Sequence, residues 1–279
     1  MGVLAVIPAR YGSVRFPGKP LALLAGKPMI QHVYERVAKA ARVDEVIVAT
    51  DDERILMAVR KAGGNAVMTN PSARSGSERV AEVARTREAA VVINVQGDEP
   101  LVHPDMVDQI AEFLERHAAV PMASLMIPLH DDADAASPNV VKVVVDCDGY
   151  ALYFSRAPIP YVRKDQGGSG LRAPGSGQLP TAPSPPGQAL TRAGAGQPRA
   201  YKHIGLYGYQ RHFLLQFPHL EPTRLEQQEG LEQLRALEHG HRIKLLETTH
   251  DSIGVDTPDD LARVELLVAK TMSRLNMER

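Results

Sequence analysis

A single cysteine, Cys147, stands in the whole chain of 279 residues. It has no partner for an internal disulfide, and it excludes a zinc site built from thiolates. Net charge is scarce as well: 32 Lys and Arg against 33 Asp and Glu give a formal charge of -1. A general nucleic-acid binder carries a basic footprint, and this composition has none. Long apolar runs are missing, since no stretch reaches the roughly 18–20 residues of a membrane span. The N-terminal "VLAVI" lacks a basic leader and is too short for the apolar core of a signal peptide. Together these absences predict a cytoplasmic enzyme that engages neither nucleic acid nor membrane.

Apolar residues are not scarce: 44% of the chain is hydrophobic, enough for one large α/β domain or two small ones. Short β-rich runs alternate with helical patterns. "VLAVIP" (3–8), "EVIVAT" (45–50), "GGNAVM" (63–68) and "VVINV" (91–95) read as strands. Helical spacing falls near 28–42, near 52–62, at 77–87 and at 104–117. This alternation predicts a mostly parallel sheet with helices on both faces, whose strands are apolar throughout because both faces are covered. Strands then crowd at 120–129, 139–146 and 150–155, with "CDG" (147–149) as a tight hairpin turn. A strand at 203–209, one helix over 226–240, a strand at 242–247 and a closing helix at 257–270 complete the expected order. Thr257 suits an N-cap, Pro258 the first turn, and Asp260 an acidic helix start.

The segment 167–198 fits neither period. Gly, Pro, Ala, Ser, Thr and Gln dominate it, so burial cannot offset its ordering entropy. It reads as a disordered insertion within one domain spanning 1–279; a lid or partner-binding loop is the alternative.

The chemistry begins at "IPARYGSVRFPGKP" (7–20), where Arg10, Arg15 and Lys19 stand among glycines and prolines directly after the first strand. Open α/β sheets bind ligands at this edge. Glycines let backbone amides approach phosphate oxygens, and cations neutralise them. The loop therefore reads as a polyphosphate site. It is not a P-loop: five residues separate Gly12 from Gly18, and Pro20 follows Lys19. After the fourth strand, "NVQGDEP" (94–100) places carboxylates beside that loop, which suggests a magnesium bridge. Read alone, Asp98 could equally cap the next helix. Asp256 in "GVDTPDD" (254–260) could share the metal or belong to a helix cap. Gly76, Ser77 and Arg79 in "RSGSERV" (74–80) sit at a helix start suited to nucleotide contacts, although a Ser cap followed by Glu is common.

Taken together, the blocks "IPARYGSVRFPGKPL", "IVATDD", "SGSERVAEV", "NVQGDEP", "VKVVVDCDGYALYFSRAPIP", "KHIGLYGY", "LEQLR" and "GVDTPDDL" resemble the 3-deoxy-manno-octulosonate cytidylyltransferase family, also called CMP-KDO synthetases. They occur in the family's order across almost the whole chain; the departure is the long Gly/Pro-rich 167–198 region. The resemblance implies a Rossmann-like nucleotidyltransferase fold with a small β-rich dimerisation part around "VKVVVDCDGYALYFS", and a homodimer. It implies a Mg²⁺-dependent reaction of CTP with KDO, giving CMP-KDO and pyrophosphate for lipopolysaccharide assembly. It assigns Ala9, Arg10, Gly12, Ser13, Lys19, Gly76, Ser77 and Arg79 to the nucleotide, and Asp98 and Asp256 to the metal. Arg10, Arg15 and Lys19 join the two aspartates as the catalytic set. Gln96, Arg156, His203, Tyr207, Glu232 and Gln233 fall to the sugar. Read alone, Tyr207 is a sheet aromatic, Glu232 a solvated helix face and His203 a structural histidine. The rival readings are a cytidylyltransferase for sialic acid or an amino analogue of KDO, and a catalytically silent nucleotide-binding regulator.

Overall fold

The computed structural model describes residues 2–12, 15–161 and 200–277. Ser13 and the 167–198 insertion lie outside the described residues. The first strand, β1 (Val3–Ala9), leads through a 3-10 turn at Lys19–Leu21 into the small antiparallel pair β2 (Leu23–Leu24) and β3 (Lys27–Pro28), then α1 (Met29–Val37). The alternation continues with β4 (Glu45–Thr50), α2 (Glu53–Lys61), β5 (Ala66–Met68), α3 (Gly76–Arg85), β6 (Val91–Asn94) and α4 (Pro104–Arg116). Next come β7 (Met122–Leu129), α5 (Asp132–Ala136), β8 (Lys142–Val145) and β9 (Ala151–Ser155). The chain closes with β10 (Ala200–Gln210), α6 (Arg211–Gln216), α7 (Arg224–Glu229), α8 (Gln233–Glu238), β11 (Ile243–Glu247) and α9 (Pro258–Met277).

Among the described residues, nine strands form one sheet in the order β11-β7-β10-β6-β1-β4-β5, with β8 and β9 attached at β10. β1 pairs in parallel with both β4 and β6, while β10 runs antiparallel between β6 and β7. This is the predicted mixed, mostly parallel α/β sheet. Its strands are apolar on both faces for the expected reason. Val3, Ala5 and Ile7 of β1 join a core with α1, α2 and α4, and the alternate residues Leu4 and Val6 join one with α3 and α6. The hairpin at 147–149 is present, closed by Asp146, whose Oδ1 accepts from the backbone N–H groups of Asp148 and Tyr150.

The helix expected over 226–240 is two helices. Gly230 adopts φ +64° after α7, and the Leu231 N–H returns to the Glu226 carbonyl at 3.2 Å. The continuous apolar period conceals this break, because Leu231 and Leu234 are both buried. After the break, Glu232 is half-buried and Gln233 is buried. α5, α6 and the β2–β3 pair were not anticipated, being too short to show a period. At Gly230 a Cβ would meet no atom within 4 Å. Gly230→Ala is therefore expected to cost only the left-handed backbone penalty, about 1–2 kcal/mol. Urea unfolding measures it; unchanged stability would show that the turn does not need the left-handed residue.

Candidate active site

β1 is the point where the strand order reverses: β4 and β5 extend to one side of it, β6 to the other. Ligands of open α/β sheets bind outside the carboxyl ends of strands at such a point. A cleft of about 420 Å³ opens there. The end of β1 contributes Ala9 and Arg10, the basic loop Arg15 and Lys19, the start of α3 Gly76 and Arg79, the turn after β6 Gln96 and Asp98, and the segment before α9 Asp256. Four stretches far apart in sequence thus meet as the motifs suggested. Gly12 is exposed and does not line the cleft.

Lys19 organises the centre. Its ammonium donates to Asp98 Oδ2 at 2.7 Å and to Asp256 Oδ1 at 3.1 Å. Arg15, mostly exposed, reaches Asp256 Oδ2 at 3.0 Å. The backbone supports this contact, since the Val255 N–H donates to the Asp98 carbonyl at 2.9 Å. Gly97 lets the turn after β6 close on β1: a Cβ there would sit 2.7 Å from the Pro8 carbonyl oxygen. Beneath the loops, Leu24, Met29, Val255 and Val264 form a small core with Phe16, Leu101, Ile253 and Leu261 packed against it. Every stretch that carries Lys19, Asp98 or Asp256 thereby has an apolar anchor next to its charged residue.

Neither aspartate is a helix cap. The helix after Asp98 is capped by His103, which accepts from the Asp105 N–H. At α9, Thr257 Oγ1 accepts from the Asp260 N–H at 3.2 Å, while Asp260 Oδ2 accepts from the Thr257 N–H at 2.9 Å. The expected N-cap Thr257 and acidic start Asp260 are both present, here bonded to each other, and the Asp256 side chain lines the cleft. Two carboxylates that already share one cation form an all-oxygen donor pair of the kind magnesium takes. Asp98 and Asp256 thus fit the ion.

Further along the sheet edge lies a second group. The β10–β7 register slips between Ile204 and Tyr207, a bulge that puts Gly205 beside Gln96 and Glu99. His203, 8% exposed, and Tyr207 meet across the bulge with ring centroids 5.3 Å apart. Ser124 Oγ lies 2.9 Å from His203 Nε2, and also 3.0 and 2.8 Å from the carbonyls of Ile204 and Leu206. The hydroxyl has one proton and spends it on a carbonyl, so Nε2–H donates to Ser124 and Nδ1 keeps its lone pair. Burial pushes the His203 pKa down to about 3. Burial likewise drives the Tyr207 hydroxyl well above its ordinary value, helped by Glu232 and Glu99. Ser77, buried, donates to Glu232 Oε2 at 2.6 Å, and Gln233 is buried behind it with Nε2 unpartnered.

Two expected residues are committed differently. Arg79 spends its guanidinium on Asp51 Oδ2 at 2.8 Å and on the Thr69 hydroxyl. Arg156 donates through Nε to the Glu229 carbonyl at 2.7 Å and through Nη1 to the Pro138 carbonyl at 3.0 Å. It also lies outside the cleft lining. Glu99 was not singled out from the sequence, although it lies in the quoted "NVQGDEP". Burial, with the Asp98 charge adding to it, raises its pKa to about 7, and its Oε2 accepts from Ser252 at 2.8 Å. Only the bulge at Gly205 reveals that it faces the second group.

A family model described as Cytidylyltransferase matches residues 4–243. The chain belongs to that cytidylyltransferase family. It is 50% identical to the 3-deoxy-manno-octulosonate cytidylyltransferase of Geobacter sulfurreducens over 95% of this chain and 98% of that protein. It is 51% identical to the protein of the same name from Pelobacter propionicus over 94% of this chain and 96% of that one. The solved structure of CMP:2-keto-3-deoxy-manno-octonic acid synthetase complexed with CTP superposes with a TM-score of 0.82 at 41% identity, covering 97% of this chain and all (100%) of that one. A nucleotidyl transferase from Methanothermobacter, 16% identical with a TM-score of 0.56, shares the fold. The cytidylyltransferase fold expected from the sequence is therefore the fold of this chain.

The buried neutral histidine of this cytidylyltransferase gives a pH test. His203 binds a proton at about pH 6.5 when unfolded but only near pH 3 when folded. Its contribution to stability is present above pH 6.5 and is lost as pH falls towards 3. Between pH 6.5 and 4.5, wild type is expected to lose about 1.4 kcal/mol per pH unit relative to His203→Gln. Denaturant unfolding at several pH values measures the difference; parallel pH profiles would mean that His203 accepts its proton in the folded protein.

Proposed function

We propose that this chain transfers CMP from CTP to 3-deoxy-D-manno-octulosonate (KDO), releasing pyrophosphate, in the supply of lipopolysaccharide precursors. The observation that carries the reading is the shared cation: a basic loop whose Lys19 bridges Asp98 and Asp256 in a cleft at the sheet's switch point. About half identity to curated KDO cytidylyltransferases along nearly the whole chain favours KDO over sialic acid or an amino analogue. The paired carboxylates speak against a silent regulator, because nucleotide binding alone does not need them.

The anomeric hydroxyl of KDO attacks the α-phosphorus of CTP in line. A new P–O bond forms, the bond to the β-phosphate oxygen breaks, and the hydroxyl proton leaves to solvent. The protein supplies position and charge. Arg10, Arg15 and Lys19 neutralise the triphosphate and the departing pyrophosphate, with Ala9 beside them on the cleft wall. Gly76 lines the cytidine side, Ser77 supports it from behind through its bond to Glu232, and Arg79 holds that wall through Asp51 and Thr69. Asp98 and Asp256 would hold Mg²⁺, which would neutralise phosphate oxygens and acidify the attacking hydroxyl. Gln96, His203, Tyr207, Glu232 and Gln233 meet the sugar hydroxyls. Arg156 meets the sugar carboxylate if its guanidinium exchanges the carbonyls of Glu229 and Pro138 for it. Action in the cytoplasm, where CTP is available, belongs to the same reading; among the described residues no helix is long and apolar enough to cross a membrane. A homodimer through the β8–β9 hairpin is favoured by Leu152, which stands 62% exposed on it, and gel filtration of Leu152→Asp would then report monomer.

Pyrophosphate release with CTP and KDO tests the function, and no release with that pair would end it. Asp98→Asn and Asp256→Asn are each expected to lower kcat by at least 100-fold in a folded protein. The double variant should be scarcely worse than either, because both act on one charge site. Near-normal turnover of Asp256→Asn at limiting Mg²⁺ would remove Asp256 from the metal. The 1–279 chain as one domain with a dispensable insertion is likewise proposed. Replacing 167–198 by a short Gly/Ser linker should leave most activity, since closure entropy grows slowly with loop length. A large fall in kcat with normal folding would instead make the segment a lid.

A further inference from the structure

Away from the cleft, two loops bring metal-ligating side chains together. His103 ends the connection from β6 to α4, Asp105 lies in the first turn of α4, and His250 lies in the segment after β11. One ligand atom from each falls within 4.8 Å of the others. We propose that His103, Asp105 and His250 form a binding site for a divalent transition metal of the zinc class, separate from the Asp98–Asp256 pair.

Asp105 Oδ2 lies 3.5 Å from His103 Nδ1 and 3.4 Å from His250 Nε2. Those separations are long for charge-assisted hydrogen bonds, which fall at about 2.7–2.9 Å. They match the edge of a tetrahedral site, where ligands held at about 2.0–2.1 Å from the metal stand roughly 3.4 Å apart. The His103 Nδ1 lone pair accepts only a long bond from the Asp105 backbone N–H, 3.3 Å, and metal binding exchanges that weak cap for the ion. The two rings stack at 3.8 Å with 5° between their planes. Parallel rings hold their lone pairs in parallel planes, so loading turns one of them. With 41% and 35% of their side-chain surfaces exposed, both have room to turn.

The supporting frame is fixed on both sides of the cluster. Gln109 of α4 donates to the Glu247 carbonyl at the end of β11 at 2.8 Å, and Ser252 donates to Glu99 at 2.8 Å. Two imidazoles with one carboxylate select zinc, cobalt or nickel over magnesium, which prefers an all-oxygen shell. The position also has a consequence: His103 follows Asp98 by five residues and His250 precedes Asp256 by six. A metal at this site ties together the two segments that carry the cleft's carboxylates.

The test is Zn²⁺ titration of the chelator-stripped full chain in competition with a chromogenic chelator, repeated with 10 mM-scale (order-of-magnitude) Mg²⁺ present to keep the hard-ion site filled. One equivalent is expected to bind wild type. His250→Ala and His103→Asn, the latter keeping a helix cap, should each weaken binding by at least about tenfold. Asp98→Asn should bind Zn²⁺ as wild type does. Co²⁺ in place of Zn²⁺ should give the intense visible bands of a tetrahedral site in wild type and lose them in His250→Ala. No binding by wild type, unchanged affinity in a folded His250→Ala, or loss of binding in Asp98→Asn would overturn the proposal. Pyrophosphate release reads the cleft separately, so failure of this site and failure of the transferase reading are distinguishable.

Discussion

One ammonium group between two carboxylates holds the cleft in its shape. Lys19 has only 12% of its side chain exposed, and its two partners are 79 and 237 residues away in sequence. Without the cation, Asp98 and Asp256 would face each other as like charges across a partly dry gap, an arrangement that is costly. With it, three segments close on one point. In the proposed reaction, phosphate oxygens would offer the ammonium a new partner and free the carboxylates for a metal.

The rest of the fold serves to place that point. Reversal of strand order at β1 opens the crevice, and the absence of a side chain at Gly97 lets the turn after β6 approach the Pro8 carbonyl. The small apolar cluster of Leu24, Met29, Val255 and Val264 fixes the loops from below. Antiparallel β10 then carries a bulge along the same edge, which sets His203 beside Tyr207 and Gly205 beside Gln96 and Glu99. The buried His203 stays neutral there, and burial raises the Glu99 pKa to about 7, in contrast with the ionic cleft beside them.

Much of this was legible in the sequence because it is written in local patterns. Apolar strands alternating with amphipathic helices announce a covered parallel sheet, and Thr257, Pro258 and Asp260 announce the start of α9. The Arg10–Lys19 loop declares its charge, and the "QGDEP" turn declares its carboxylates. What was not legible depends on three dimensions. Gly230 divides a helix whose apolar period continues across the break. The bulge at 204–207 is marked in the strand only by Gly205, and a strand glycine alone does not say where the register slips. Arg156 looks like a free carboxylate partner until its guanidinium is seen on the carbonyls of Glu229 and Pro138, and Arg79 looks like a nucleotide reader until Asp51 and Thr69 are seen around it. Charge type is a sequence property, whereas the partner that takes up the charge is a property of the fold.

The account turns on the claim that the Asp98–Asp256 pair exchanges Lys19 for a metal when nucleotide binds. Crystals grown with CTP and Mn²⁺ as an anomalous stand-in for Mg²⁺ address it directly. The account predicts an anomalous peak bound by the carboxylates of Asp98 and Asp256, with the Lys19 ammonium moved onto the triphosphate. A nucleotide-filled cleft in which Lys19 still bridges both carboxylates, and no manganese touches either, would contradict it.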